Sequence, residues 1–355
     1  MKNRIRNIEP YGIDSKQKKI FFCKEINLLT KHHYSNSYQY KNLLNFFKYN
    51  LNNMELENFP FLPTQIFKEI DLLSINKRNI LKKMMSSGTS GSSPSRIYLD
   101  RDNAYNQIFV LAKIMSTILG KNRLPMLIVD NKTKNPTKIS FNARIAAING
   151  FSTFGKDHTY LLNDDESINF IQLTNFLKKF GNSPFFIFGF TSYIFKSIIE
   201  KFPKNKTFDF SKGILLHGGG WKKMEDKKID NKSFKNLLKK KVNLSKIYNY
   251  YGLIEQTGSI FLECPLCSCF RTTAFSDILI RDKHFKVVQN GRKGLIQLFS
   301  LLPTSYPGHI VLTEDIGAII DDNKCICSKS GKRFKVFGRS KKSELRGCSD
   351  TVWKT

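Results

Sequence analysis

No apolar run in these 355 residues is long enough to cross a bilayer; the most hydrophobic windows, such as Pro184 to Phe195, are short and carry polar residues. The amino-terminal stretch MKNRIRNIEPYGID is basic with no apolar segment behind it, so no secretion signal is expected and a cytoplasmic protein is the default. Internal repeats and long Gly-, Pro- or Ser-rich linkers are missing, which argues against a string of modules. No Gly-Lys-Ser/Thr ending closes a phosphate loop, which excludes a Walker A site. The six histidines form no Ser/His/Asp arrangement, so a hydrolase has no support; His32-His33 reads as part of a polar loop and His217 as packing beside a triple glycine.

Acid is also scarce: 29 Asp+Glu stand against 58 Lys+Arg, a formal charge of +29. Such a field attracts nucleic acid, anionic lipid or an acidic partner. The positive charge is spread along the chain rather than blocked, however, and Lys, Asn, Ile and Phe, all written by AT-rich codons, are abundant throughout. A compositional bias is therefore the better reading, and no nucleic-acid partner is expected. Hydrophobic residues at 41% and aromatics at 13% suffice for one large core or two domains.

Residues 1–85 read as mostly helical, broken by the FPFLP turn at Phe59 to Pro63. From 86 onward short apolar runs alternate with helical patterns. LPMLIVD (124–130), SPFFIFGF (183–190), GILLH (213–217) and KIYNYYG (246–252) look like buried strands, with helices over 168–180 and 191–202. From about 259 short strands and turns take over, including DILIRD, GLIQLFS and GHIVLTED. The expectation is an α/β fold with three parts: a helical segment (1–85) packed on the main domain, an α/β nucleotide-binding core (86–258), and a smaller β-rich lobe with a short tail (259–355).

Five segments carry the chemistry. MMSSGTSGSSPSRIYLD (84–100) offers glycines, hydroxyls and amides suited to phosphate oxygens, just before the apolar strand RIYL. HGGGWKK (217–223) puts bare backbone at a strand's carboxyl end, where open α/β sheets bind ligands. YNYYGLIEQTGSI (248–260) follows an aromatic with Gly252 and Glu255, a pattern able to stack a base and reach a metal–phosphate group. In GHIVLTEDIGAII, Asp315 closes a strand, and in FKVFGRSKKSELRGCSD, Arg339 follows a glycine.

Together these segments resemble the adenylate-forming superfamily and, within it, the acyl-protein synthetase (LuxE) family. The resemblance runs from FPFLPTQIFKEIDLLS (59–74) to GRSKKSELRGCSD, with HGGGWK and ELRGCSD its most specific parts. It implies that a fatty acid and ATP give acyl-AMP and pyrophosphate, that the acyl group passes to a protein cysteine, and that a partner reductase takes it on. It further implies that Ser86, Ser87, Gly88, Thr89, Ser90 and Gly91 hold the ATP phosphates and that Gly218, Gly219 and Gly220 form the adenine-side loop. Tyr251 would flank the adenine, Glu255 would hold Mg²⁺, and Asp315 would take the ribose hydroxyls with Arg339 beside them. The lysine that usually closes the phosphate loop is replaced by Ser95-Arg96. The chain stops soon after Arg339, so the mobile carboxyl-terminal lobe of the wider superfamily, with its catalytic lysine, is expected to be absent; Lys222 or a partner subunit is a candidate for that cation. Phe185 to Phe195 would line an acyl pocket. The rival readings are a coenzyme A ligase of the phenylacetate type and a basic scaffold or nucleic-acid-binding protein without activity.

The seven cysteines are not expected to form a disulfide framework, because the chain is long, by default cytoplasmic, and has an odd count. Cys264, Cys267, Cys269, Cys325 and Cys327 form two clusters able to hold a structural Zn²⁺, the alternative being buried, unligated thiols. Cys348, in the basic near-terminal ELRGCSD, is the candidate acyl acceptor, and Cys23 reads as packing on an amphipathic face.

Overall fold

The computed structural model describes residues 7–52, 55–86, 93–132, 143–203, 207–221, 227–321, 325 and 327–340. Along the chain come α1 (Ser15–Asn36), α2 (Tyr38–Phe46), β1 (Leu62–Pro63), α3 (Ile66–Glu69), β2 (Lys82–Met85), β3 (Arg96–Leu99) and α4 (Arg101–Leu119). Next are β4 (Leu124–Asn131), α5 (Ala143–Ser152), β5 (Gly155–Leu162), α6 (Phe170–Phe180), β6 (Phe185–Phe190), α7 (Thr191–Ile194, continued by a π-turn over Phe195–Glu200), β7 (Gly213–Gly218), α8 (Asn231–Val242) and β8 (Lys246–Tyr251). Strands β9 (Phe261–Leu262), β10 (Phe270–Arg271), β11 (Ser276–Arg281), β12 (Gly294–Ser300), β13 (Ile310–Asp321) and β14 (Arg333–Arg339) complete the order.

Contacts group the described residues into two units, one drawn from 1–114 and 252–345, the other from 115–251. The division is discontinuous and does not follow the expected breaks at 86 and 259. Lys82–Met85, expected within a helical segment, pairs antiparallel with Arg96–Leu99, which ties the two sides of residue 86 together.

In the second unit the parallel strands run in the order β5-β4-β6-β7-β8. Every residue of β6 (FFIFGF) and β7 (GILLHG) is buried, as strands covered on both faces must be. Helix α6 starts at Asn169, whose side chain accepts from the Gln172 amide, and buries Leu173 and Phe176. Helix α8 starts at Asp230, which accepts from the Ser233 amide, and ends at Asn243 in the left-handed region. The aromatics expected to line an acyl pocket are core here: Phe185 packs edge-on to Phe176 and Phe210, and Phe195 packs on Trp221.

In the first unit β10-β14-β13-β12-β11 form an antiparallel sheet, with β1 added parallel to β13. Helix α1 is capped by Asp14, which accepts from the amides of Lys16 and Gln17. It buries Phe22, Ile26, Leu29 and His33, a stripe of helical period. His32-His33, expected in a loop, thus lies inside α1. His33 is fully buried, its ring nitrogens 2.7 Å from the Ser74 hydroxyl and 3.1 Å from the Pro303 carbonyl. Cys23 lies buried on the same helix.

Candidate active site

The first unit builds its part of the site around Glu255. The residue sits in a 3₁₀ turn, Ile254–Gln256, that begins two residues after Gly252. Its backbone carbonyl accepts a hydrogen bond from the Tyr306 hydroxyl at 2.9 Å, and the next side chain, Gln256, donates to the carbonyls of Gly308 and Leu298. A Cβ on Gly308 would stand 2.3 Å from the Tyr306 ring and 2.6 Å from the Glu255 carbonyl, so only glycine allows this approach. A Cβ on Gly258, at φ +86°, would likewise strike the backbone of Gln107.

The Glu255 carboxyl is 6% exposed, and burial pushes its pKa up, opposed by a hydrogen bond with Ser95 and by the charges of Lys68 and Arg339. Ser95 is the foot of the Ser/Gly-rich loop. Its amide donates to the Ser86 hydroxyl at 2.8 Å, and the Ser86 amide donates back to its carbonyl at 3.0 Å. This pair closes the β2–β3 hairpin on either side of residues 87–92. Ser87, Gly88, Thr89, Ser90 and Gly91 themselves lie outside the described residues, as do Lys222 and Cys348.

Asp315 and Arg339 are directly opposed in the β13–β14 ladder, with Nε and Oδ1 3.7 Å apart. The same unit therefore gathers Ser86, Ser95, Glu255, Lys68, Asp315 and Arg339. Sequence reasoning overlooked two of these. Ser95 was visible only as part of a run of hydroxyls, and Lys68 as one cation among 58 Lys+Arg.

The second unit places the triple glycine at the carboxyl end of β7, beside the end of β8. A Cβ on Gly218 would come within 2.4 Å of the Tyr250 ring, Gly219 has φ +79°, and the space around Gly220 is open. Gly219 and Gly220 are exposed and leave their backbone open to a ligand, while Gly218 is buried between β6 and β8. Tyr251, the last residue of β8, is half-buried. His217 is buried, with Nδ1 3.0 Å from the Thr191 hydroxyl, and burial pushes its pKa down to about 3, so the ring is neutral.

This unit also holds a buried charged group that sequence reasoning overlooked. Asp130, closing β4, is pushed up to about 6 by burial and pairs with Arg144 at 3.4 Å. Arg144 in turn donates to the Tyr193 hydroxyl. The available signal was an acid ending the apolar run LPMLIVD. A polar cavity of about 990 Å³ in the same unit, lined among others by His158, Tyr160, Asn163 and Asp165, contains none of the residues expected for ATP.

Back in the first unit, the clustered cysteines divide. The sulfurs of Cys264, Cys325 and Cys327 lie within 4.8 Å of one another, and Cys267 lies in the same turn as Cys264. Cys269 stands apart: its thiol donates to the Cys267 carbonyl at 3.3 Å.

Comparison with known proteins adds relatives to this geometry. A family model described as "Acyl-protein synthetase, LuxE" matches residues 1–355. A long-chain-fatty-acid--luciferin-component ligase of Vibrio harveyi is 22% identical over 334 residues, covering 83% of this chain and 77% of its own length. The protein of the same description from Aliivibrio fischeri is 24% identical over 310 residues, covering 81% and 76%. Among solved structures, an open conformation of 2-hydroxyisobutyryl-CoA ligase, in complex with 2-HIB-AMP and CoA, superposes with a TM-score of 0.68 at 12% identity, over 94% of this chain and 80% of that one. A luciferase-like enzyme from the nonluminescent mealworm Zophobas morio gives 0.51 at 16% identity, over 76% and 60%. The structural likeness establishes the mixed α/β fold of adenylate-forming enzymes, as the sequence motifs led one to expect.

Proposed function

Since the chain belongs to the acyl-protein synthetase (LuxE) family, a family of ligases, we propose that it activates a long-chain fatty acid with ATP and passes the acyl group to a protein cysteine. In the first half-reaction a carboxylate oxygen attacks the α-phosphorus, the bond to the bridging oxygen breaks, and pyrophosphate leaves. In the second a thiolate attacks the acyl carbonyl and AMP leaves with the bonding pair. Neither step demands a strong general base from the protein; both demand positioned charge.

The observation that carries this reading is the link from Glu255 through Ser95 to the foot of the Ser/Gly-rich loop. A buried carboxylate joined to a phosphate-type loop suits Mg²⁺ held against phosphate oxygens, since such a cation takes oxygen donors and offsets their charge. Asp315 is suited to ribose hydroxyls, and Arg339 and Lys68 to spreading negative charge. The Gly218–Gly220 turn, exposed at Gly219 and Gly220, and Tyr251 suit the adenine. Cys348 is the proposed acyl acceptor, on the strength of its basic sequence setting alone, and a reductase the proposed next enzyme, because a thioester stays reactive enough to be reduced. The fatty-acid substrate rests on the printed descriptions of the two Vibrio harveyi and Aliivibrio fischeri relatives.

The test is acid-dependent ATP–pyrophosphate exchange across a panel of acids, followed by labelling with ATP, Mg²⁺ and a radiolabelled long-chain acid. Long-chain acids should support exchange best, and the protein should carry a hydroxylamine-sensitive label. Cys348→Ser should abolish the label and leave exchange intact, because adenylation precedes transfer. Full labelling of that variant places the acceptor elsewhere, and label appearing mainly on added coenzyme A would favour the coenzyme A ligase reading. Absence of exchange with every acid would end the adenylation proposal.

A further inference from the structure

Three thiols of the β-rich sheet, those of Cys264, Cys325 and Cys327, converge on one point, and they come from two turns. In the first, between β9 and β10, the Cys264 amide donates to the Cys269 carbonyl at 2.9 Å and the Ser268 amide donates to the Cys264 carbonyl at 2.8 Å. The chain folds back within six residues, and Ser268 takes φ +53°. In the second, between β13 and β14, the Ser328 amide donates to the Cys325 carbonyl at 2.8 Å and Ser328 takes φ +57°. Each cysteine turn thus ends in a serine held left-handed, a conformation that costs an L-residue about 1–2 kcal/mol and needs a compensating restraint.

The sulfur separations identify the restraint. Tetrahedral thiolates about 2.3 Å from a zinc ion stand about 3.8 Å from one another. Cys264 Sγ and Cys325 Sγ are 3.8 Å apart, and Cys327 lies within 4.8 Å of both. Cys267 follows Cys264 by three residues in the same turn and is only partly buried, which makes it the candidate fourth donor. A disulfide would require about 2.05 Å, and the described cysteines are all free. The surroundings supply the balancing charge. Arg271, 2% exposed, donates through Nη2 to Cys327 Sγ at 3.4 Å, while Nη1 binds the carbonyls of Lys329 and Gly331. A buried guanidinium needs negative charge nearby, and a zinc ion with four thiolates carries two negative charges in excess.

We propose that Cys264, Cys267, Cys325 and Cys327 hold one structural zinc ion that staples the β9–β10 turn to the β13–β14 turn, with Arg271 as its outer-shell partner. The site is closed by four protein ligands, so it has no open position for chemistry. It joins turns flanking β10 and β14, which are paired strands of one sheet. This inference is independent of the adenylation reading and stands or falls separately from it.

The test uses the full chain purified without chelator. Elemental analysis should find about one zinc per chain. Titrating the native wild-type protein with a mercurial in the presence of a zinc indicator should release one zinc as four thiols react. Cobalt exchanged into the site should show the visible ligand-field and near-ultraviolet charge-transfer bands of a tetrahedral thiolate centre. Cys264→Ser and Cys327→Ser should lose most of the zinc, whereas Cys269→Ser and Cys23→Ser should keep it. The proposal is overturned by wild-type protein that contains no stoichiometric metal and whose thiols titrate freely, by intact masses showing disulfides among these residues, or by Cys269→Ser losing as much zinc as Cys264→Ser. The mercurial and cobalt measurements need no variant, so a misfolded mutant does not blunt the test.

Discussion

Glu255 combines two demands that pull in opposite directions. Burial favours its neutral form, while the proposed Mg²⁺-binding role needs the carboxylate. An acid whose pKa is raised in the folded state stabilises the fold below its unfolded pKa and loses that contribution as pH rises through the folded value. Above its unfolded pKa the buried residue is therefore a burden on stability. Glu255→Gln should keep or slightly raise the thermal midpoint while lowering acid-dependent pyrophosphate exchange about a hundredfold or more. The acid limb of the wild-type exchange profile should lie above the ordinary glutamate range, and Lys68→Ala, which removes a charge that opposes the shift, should move it higher still. Exchange at the wild-type rate in the Gln variant would remove Glu255 from the site.

The 3₁₀ turn over Ile254–Gln256 is held from below by the segment that carries Tyr306 and Gly308. A side chain at 308 has no room: its Cβ would meet the Tyr306 ring and the Glu255 carbonyl, a backbone atom that retreats only if the turn moves. Gly308→Ala should cost roughly 1–3 kcal/mol, the range of an overpacked site. Tyr306→Phe, which leaves the Glu255 carbonyl without its donor, should cost about 1 kcal/mol. If the turn positions the carboxylate, Gly308→Ala should also lower exchange by a larger factor than Tyr306→Phe. Denaturant midpoints and exchange rates on the same preparations check both statements, and full activity in Gly308→Ala would show that the turn does not position the carboxylate.

At the scale of the whole molecule, three histidines kept neutral by burial contribute to stability toward acid. Burial lowers His217 and His309 to about 3 and His33 well below its ordinary range. A base whose pKa is depressed by folding takes up its proton on unfolding, so its contribution is intact above about pH 6.5 and is lost as pH falls toward the folded value. Between pH 7 and pH 5 each of His217 and His309 should remove about 2 kcal/mol of unfolding free energy. Urea unfolding at the two values tests this, and His217→Gln should show a smaller drop than wild type by about that amount. An equal drop in the variant would mean that His217 is not kept neutral in the native state.

What the sequence determined by itself is what local pattern can carry. The central parallel strands over 124–131, 185–190, 213–218 and 246–251 are legible because a strand covered on both faces reads as a nearly unbroken apolar run. The hydroxyl- and glycine-rich loop, the triple glycine and the Tyr-Gly…Glu segment are legible because each is a distinctive run of neighbouring residues. Strand β5 escapes that reading because its first half is polar and mostly exposed, and β2 because KKMM has no alternation to follow. His33 escapes it because a titratable residue on a helical stripe looks like a loop until the helix buries it. The tertiary structure alone decided that Ser95 meets Glu255, that Asp315 faces Arg339, and that Cys264, of the three cysteines in its turn, groups with Cys325 and Cys327. These are contacts between residues far apart in the chain, or choices between near-identical neighbours. Strand register and turn geometry settle them, and neither is encoded in spacing along the sequence.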